Sequence, residues 1–118
     1  MSVNPVSAKE AMQRMATPIG MPGGYSAIID ARTEDEFALD HLPGAVNWPS
    51  LDNEQRITIG TLYKQVNPFE AKKRGAALVA ANIAKHIERH VIDLPRDWQP
   101  LVYCWRGGKR SGLSLIHI

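Results

Sequence analysis

Apolar residues along this chain fall into short blocks fenced by turn formers. Ala27-Ile28-Ile29 runs into the polar Asp30, which predicts a buried parallel strand over 27–31. The block over 45–48, closed by Pro49, predicts a second strand, and Leu101-Val102-Tyr103 a third. Between these blocks the pattern turns helical. Ser7-Ala8-Lys9-Glu10 has the form of a capping box and predicts a helix to about Met15. Thr33-Glu34-Asp35-Glu36 repeats the form and predicts a helix over Glu34–Leu39. Asn67 as N-cap, Pro68 at N1 and Glu70 at N3 open the longest helix. Within it Ala76, Val79, Ala80, Ile83, Ala84, Ile87 and Val91 form one apolar stripe, with Lys72, Lys73, Lys85 and Arg89 off it. The alanines predict close packing on a sheet. Thr17-Pro18, Gly20, Gly23 and Gly24 mark a loop, Pro43-Gly44 a turn and Pro95 a stop. Strands alternating with helices predict a three-layer α/β fold with a central parallel sheet.

Composition narrows the picture. With 118 residues the chain holds one domain or one domain cut short. A content of 44% hydrophobic and 22% charged residues argues against disorder and against fibres. The longest apolar run, 76–81, is far shorter than the roughly 20 residues of a membrane helix, so no membrane partner is expected. MSVNPVSAKE lacks the basic-then-apolar pattern of a secretory signal. A single cysteine excludes an internal disulfide and any multi-cysteine metal site, and cytoplasmic residence is the expectation. A net charge of +2 permits an anionic partner without requiring one.

The chemistry concentrates in Tyr103-Cys104-Trp105-Arg106-Gly107-Gly108-Lys109-Arg110-Ser111-Gly112. Cys104 follows a buried strand, and ligands in open α/β sheets bind at the carboxyl ends of strands. Gly107 and Gly108 allow successive backbone N–H groups to turn inward as an anion nest. Ser111 can cap a following helix whose positive end points at the same spot. Arg106, Lys109 and Arg110 add charge. These features predict a lowered Cys104 pKa and thiolate chemistry beside a bound anion. Trp105 would stack on a ligand or pack over the loop.

Beyond this point the residues carry a resemblance. Asp30-Ala31-Arg32-Thr33-Glu34-Asp35-Glu36-Phe37, followed by His41-Leu42-Pro43-Gly44-Ala45-Val46-Asn47, resembles the motif of rhodanese-like domains. Gly60-Thr61-Leu62-Tyr63-Lys64-Gln65, Asn67-Pro68-Phe69-Glu70-Ala71-Lys72 and Tyr103-Cys104-Trp105-Arg106-Gly107-Gly108 are similar to tRNA 2-selenouridine synthases. The resemblance implies a rhodanese-like fold with Cys104 as a carrier of selenium or sulfur. It implies conversion of 2-thiouridine to 2-selenouridine at the tRNA wobble position, with selenophosphate and geranyl diphosphate as substrates and no bound cofactor or metal. tRNA, and not DNA, is the implied partner. Asp30, Arg32, Glu36, His41 and Gly44 become structural motif residues. In these enzymes a P-loop domain follows, but no G-x-x-x-x-G-K-[ST] occurs here.

The chain departs from the pattern in three places. Asp40 stands where rhodaneses carry glycine before the histidine, and an aspartate that tolerates left-handed backbone is expected there. Cys104-x5-Arg110 is one residue longer than the common sulfurtransferase loop and matches cysteine phosphatases of rhodanese fold, which leaves that activity as an alternative. A third reading is an inactive fragment that binds tRNA or a partner. Finally, Leu113-Ser114-Leu115-Ile116-His117-Ile118 is the in-frame translation of a common sequencing adapter. The expected division is therefore an incomplete rhodanese-like domain over 1–112 and a non-native tail over 113–118, the fragment alone being marginally stable and without turnover. His86 and His90 have metal-capable spacing but lack a third ligand and are expected on a solvated face. The cations of the long helix, Arg74 among them, are expected to be solvated too.

Overall fold

A computed structural model describes residues 4–105 and 113–117, with backbone alone at Asn4, Trp105 and 113–117. The elements are β1 (Asn4–Pro5), α1 (Ala8–Met15), β2 (Ala27–Asp30), α2 (Glu34–Leu39), β3 (Val46–Asn47), α3 (Asn53–Gln65), α4 (Pro68–His86), β4 (Pro100–Trp105) and β5 (Leu113–His117). A π-helical turn, Ile87–Val91, prolongs α4. The chain is an α/β domain. Its sheet runs β1-β5-β4-β2-β3, with β4, β2 and β3 parallel and β5 and β1 antiparallel at one side. The segment 113–117 thus enters the sheet as β5 beside β4. The element after Ser111 is therefore a strand and not the helix that a serine cap there would open.

Local signals set the helix starts. Ser7 accepts from the Glu10 N–H at 3.1 Å, giving half of the capping box. At α2 both halves form, Thr33 accepting from the Glu36 N–H and Glu36 from the Thr33 N–H. Asn67 accepts from the Glu70 N–H at 2.8 Å, with Pro68 at the first turn of α4. A helix the pattern did not predict, α3, opens on a complete box between Asp52 and Gln55.

Parallel pairing sets Ile28 beside Leu101 and Asp30 beside Tyr103. Ile28, Leu101 and Tyr103 join Ala11 of α1 and Tyr25 in the core, and Val6, Met15, Leu42 and Ala45 pack around them. Full burial of an aliphatic side chain such as Leu101 contributes about 1.5–3 kcal/mol. Among the described residues no helix is long and apolar enough to cross a membrane.

The expected orientation of α4 is corrected. Its buried positions are Ala71 and Gly75, not the stripe from Ala76 to Val91. The reason is α3, which packs against α4 as a hairpin and puts Ile59 Cγ2 3.6 Å from the Cβ position of Gly75. Ile83 and Ile87 of the stripe stay 45% and 48% exposed. The far end of α4 is held by polar contacts. Asn82 donates to the Ser50 carbonyl at 2.9 Å and to Gln55 Oε1 at 2.7 Å. His90 stays exposed as expected, while His86 is half-buried. The Trp48 ring stacks on His90 at 4.6 Å, and His86 Nε2 lies 2.8 Å from the Pro49 carbonyl oxygen.

Gly44 adopts φ +78°, and a Cβ there would lie 2.7 Å from Ile19 Cδ1. The flexible end of Ile19 can yield, but the left-handed backbone cannot. Gly44→Ala is therefore expected to lower stability by about 1–3 kcal/mol, read as a reduced urea midpoint with unchanged slope.

Candidate active site

β4 and β3 flank β2 on opposite sides, so the carboxyl ends of β2 and β4 meet where the connections diverge. Asp30 ends β2 and is fully buried. A carboxylate there requires a full set of donors. Arg32 supplies its backbone N–H at 2.8 Å, Nη2 at 2.8 Å and Nε at 3.1 Å to both oxygens. The Tyr103 hydroxyl donates to Oδ2 at 2.9 Å. Arg32 is itself buried, and its hydrogen bonding to Asp30 raises its pKa above the ordinary guanidinium value.

The turn after β2 is pinned as well. Asn47 Nδ2 donates to the carbonyls of Asp30 and Arg32 at 3.1 and 2.9 Å. Ser50 donates its N–H and hydroxyl to the Ala31 carbonyl, both at 3.0 Å. Asp40 accepts from Arg32 through its carbonyl and, at 3.4 Å, through Oδ1. Its backbone is extended (φ −163°, ψ 152°), so the expected left-handed turn is corrected. Extended backbone suits any residue, and the carbonyl turns toward Arg32.

The other motif residues lie at the rim. Glu36 caps α2 and pairs with Arg56 at 3.0 Å. His41 is exposed, stacks on Phe37 at 3.8 Å and keeps Nδ1 2.8 Å from the Phe37 carbonyl oxygen. On α4, Lys73 and Arg74 are engaged by Glu70 at 2.9 and 3.3 Å. These two cations hold the Glu70 carboxyl below its ordinary value.

Cys104 sits near the end of β4, half-buried, with β5 placing Ser114 opposite it. Burial pushes the thiol up, and the Asp30 carboxylate pushes it further. The described surroundings therefore oppose the lowered pKa expected from the sequence. Trp105 continues β4. Arg106, Gly107, Gly108, Lys109, Arg110 and Ser111, expected to form the anion loop, lie outside the described residues. Sequence reasoning gave Tyr103 no role, although an aromatic hydroxyl directly before the cysteine was the available signal.

A family model for the rhodanese-like domain matches residues 7–117. Among curated proteins, the tRNA 2-selenouridine synthases of Nitrosomonas europaea and Nitrosomonas eutropha are each 38% identical over 88 residues, 74% of this chain and 23% of theirs. The synthase of a Sulfurovum species is 35% identical over 88 residues, 74% of this chain and 24% of its own. The match thus spans about a quarter of the length of these relatives. Among solved structures, the N-terminal domain of a protein from Clostridium difficile 630 is 33% identical at a TM-score of 0.54, covering 73% of this chain and 67% of that one.

Proposed function

Because this chain belongs to the rhodanese-like domain family, we propose that it is the sulfur- or selenium-carrying domain of a tRNA 2-selenouridine synthase, with Cys104 as the carrier. The observation that carries the reading is the place of the lone cysteine. It stands near the carboxyl end of a parallel strand, beside a turn anchored by the buried Asp30–Arg32 pair. Likeness to synthases of that name supports the substrate assignment. tRNA, selenophosphate and geranyl diphosphate are then substrates of the longer protein.

The described groups work against a free thiolate, so the compensating charge is assigned to the loop. Backbone N–H groups from Trp105 to Arg110, with Arg106, Lys109 and Arg110, form the proposed anion cradle, and Ser111 closes it. Once an atom is loaded on Cys104, the negative charge sits one bond further out. In this reading the loop cations meet that charge, which favours the loaded form over the bare thiolate. The test is selenophosphate-dependent conversion of 2-thiouridine tRNA by the longer polypeptide. Conversion is expected with Cys104 present and lost in Cys104→Ser; persistence in the variant removes Cys104 from the mechanism.

A further inference from the structure

Tyr103 is buried and joined to three parts of the chain. Its carbonyl accepts from the Ala31 N–H at 2.9 Å, directly after β2. Its hydroxyl donates to Asp30 Oδ2 at 2.9 Å and accepts from the Leu42 N–H at 3.0 Å, in the segment after α2. The Arg32 guanidinium lies 5.5 Å from its ring centroid. A tyrosine held at both its backbone and its hydroxyl leaves little freedom to the residue after it.

We infer that Tyr103 is the positioning residue of the cysteine site: it fixes Cys104 against the end of β2, and its hydroxyl draws charge from the buried Asp30 carboxylate. The inference rests on the reading of Cys104 as the reactive group. Its electrostatic half comes from the neighbours. Asp30, Arg32 and Asp40 are the charged groups of the network, and Asp30 is the one among the described residues that disfavours the Cys104 thiolate. β5 places Ser114 opposite Cys104, and the cations of 106–112 belong to the loop. Burial raises the phenol above its ordinary value, so Tyr103 remains a donor across the neutral range. A donor on Oδ2 spreads the carboxylate charge. Removing it concentrates that charge on a carboxylate whose register partner is the residue directly before Cys104.

The experiment is the pH dependence of Cys104 alkylation by iodoacetamide. Tyr103→Phe keeps the ring and removes the donor. Its midpoint is expected to rise by about half a unit, a fraction of the one to three units that a full neighbouring charge produces. Alkylation at neutral pH then slows about threefold, by the tenfold-per-unit dependence of thiolate population. Site-specific 3-fluorotyrosine at position 103 is nearly isosteric, folds where Tyr103→Phe fails, and is a stronger donor. It is expected to lower the midpoint. Shifts of opposite sign support the inference. A side chain that only packs moves neither, and an unmoved midpoint in the fluorinated protein overturns it. The carrier reading fails separately: shifted midpoints in a protein that loads no sulfur refute the carrier and leave the positioning role intact.

Discussion

Asp30→Ala is expected to destabilise the domain by about 3–5 kcal/mol, the cost of breaking a buried ion pair on one side. Three groups of Arg32 and the Tyr103 hydroxyl converge on this carboxylate, which has no exposed surface. Arginine cannot shed its proton, so removing the acceptor leaves a charged guanidinium buried. The Asp40 carboxylate offers little recompense, because that side chain is 84% exposed and its contact is 3.4 Å long. Domains of this size are held by about 5–15 kcal/mol in total. The variant should therefore populate unfolded chain without denaturant or show a sharply lowered urea midpoint by circular dichroism. A loss under about 1 kcal/mol would place Asp30 outside the energetic centre of the fold.

Local chemistry made much of this architecture readable. The boxes at Ser7 and Thr33 and the Asn67-Pro68 start each specify a backbone conformation within a few residues, and the helices begin there. The three parallel strands were marked by apolar runs bounded by polar or turn residues. α3 escaped because Ile57, Thr58 and Ile59 favour strands, Gly60 weakens a helix, and its apolar positions give no clean stripe. Its one clear signal was Asp52 with Gln55 three residues on. Missing α3 also misplaced α4, since the face a helix buries depends on which partner reaches it.

The site was legible in kind but not in balance. A cysteine followed by glycines and cations predicts a thiolate. What no local pattern shows is that β2 and β4 pair in a register that brings Asp30 next to Tyr103, 73 residues later in the chain. That long-range contact sets a carboxylate against the residue directly before the cysteine, and its charge disfavours the thiolate. Together with burial, it works against the thiolate that the loop residues predict, and those loop residues lie outside the described part of the chain.

Loss of Cys104 is expected to have the largest effect on function, because it is the single cysteine of this 118-residue sequence. Serine is close to cysteine in size and replaces the S–H by an O–H, so Cys104→Ser should fold normally. An alkoxide is far harder to generate than a thiolate and forms no persulfide. The direct measurement is the intact mass of the protein after incubation with thiosulfate. The thiolate attacks the outer sulfur, the sulfur–sulfur bond of thiosulfate breaks, and sulfite leaves with the electron pair. The expected result is a gain of one sulfur atom that dithiothreitol removes, and no gain in Cys104→Ser. A protein that gains no sulfur while its thiol alkylates, or a serine variant that gains as much, contradicts the carrier role of Cys104.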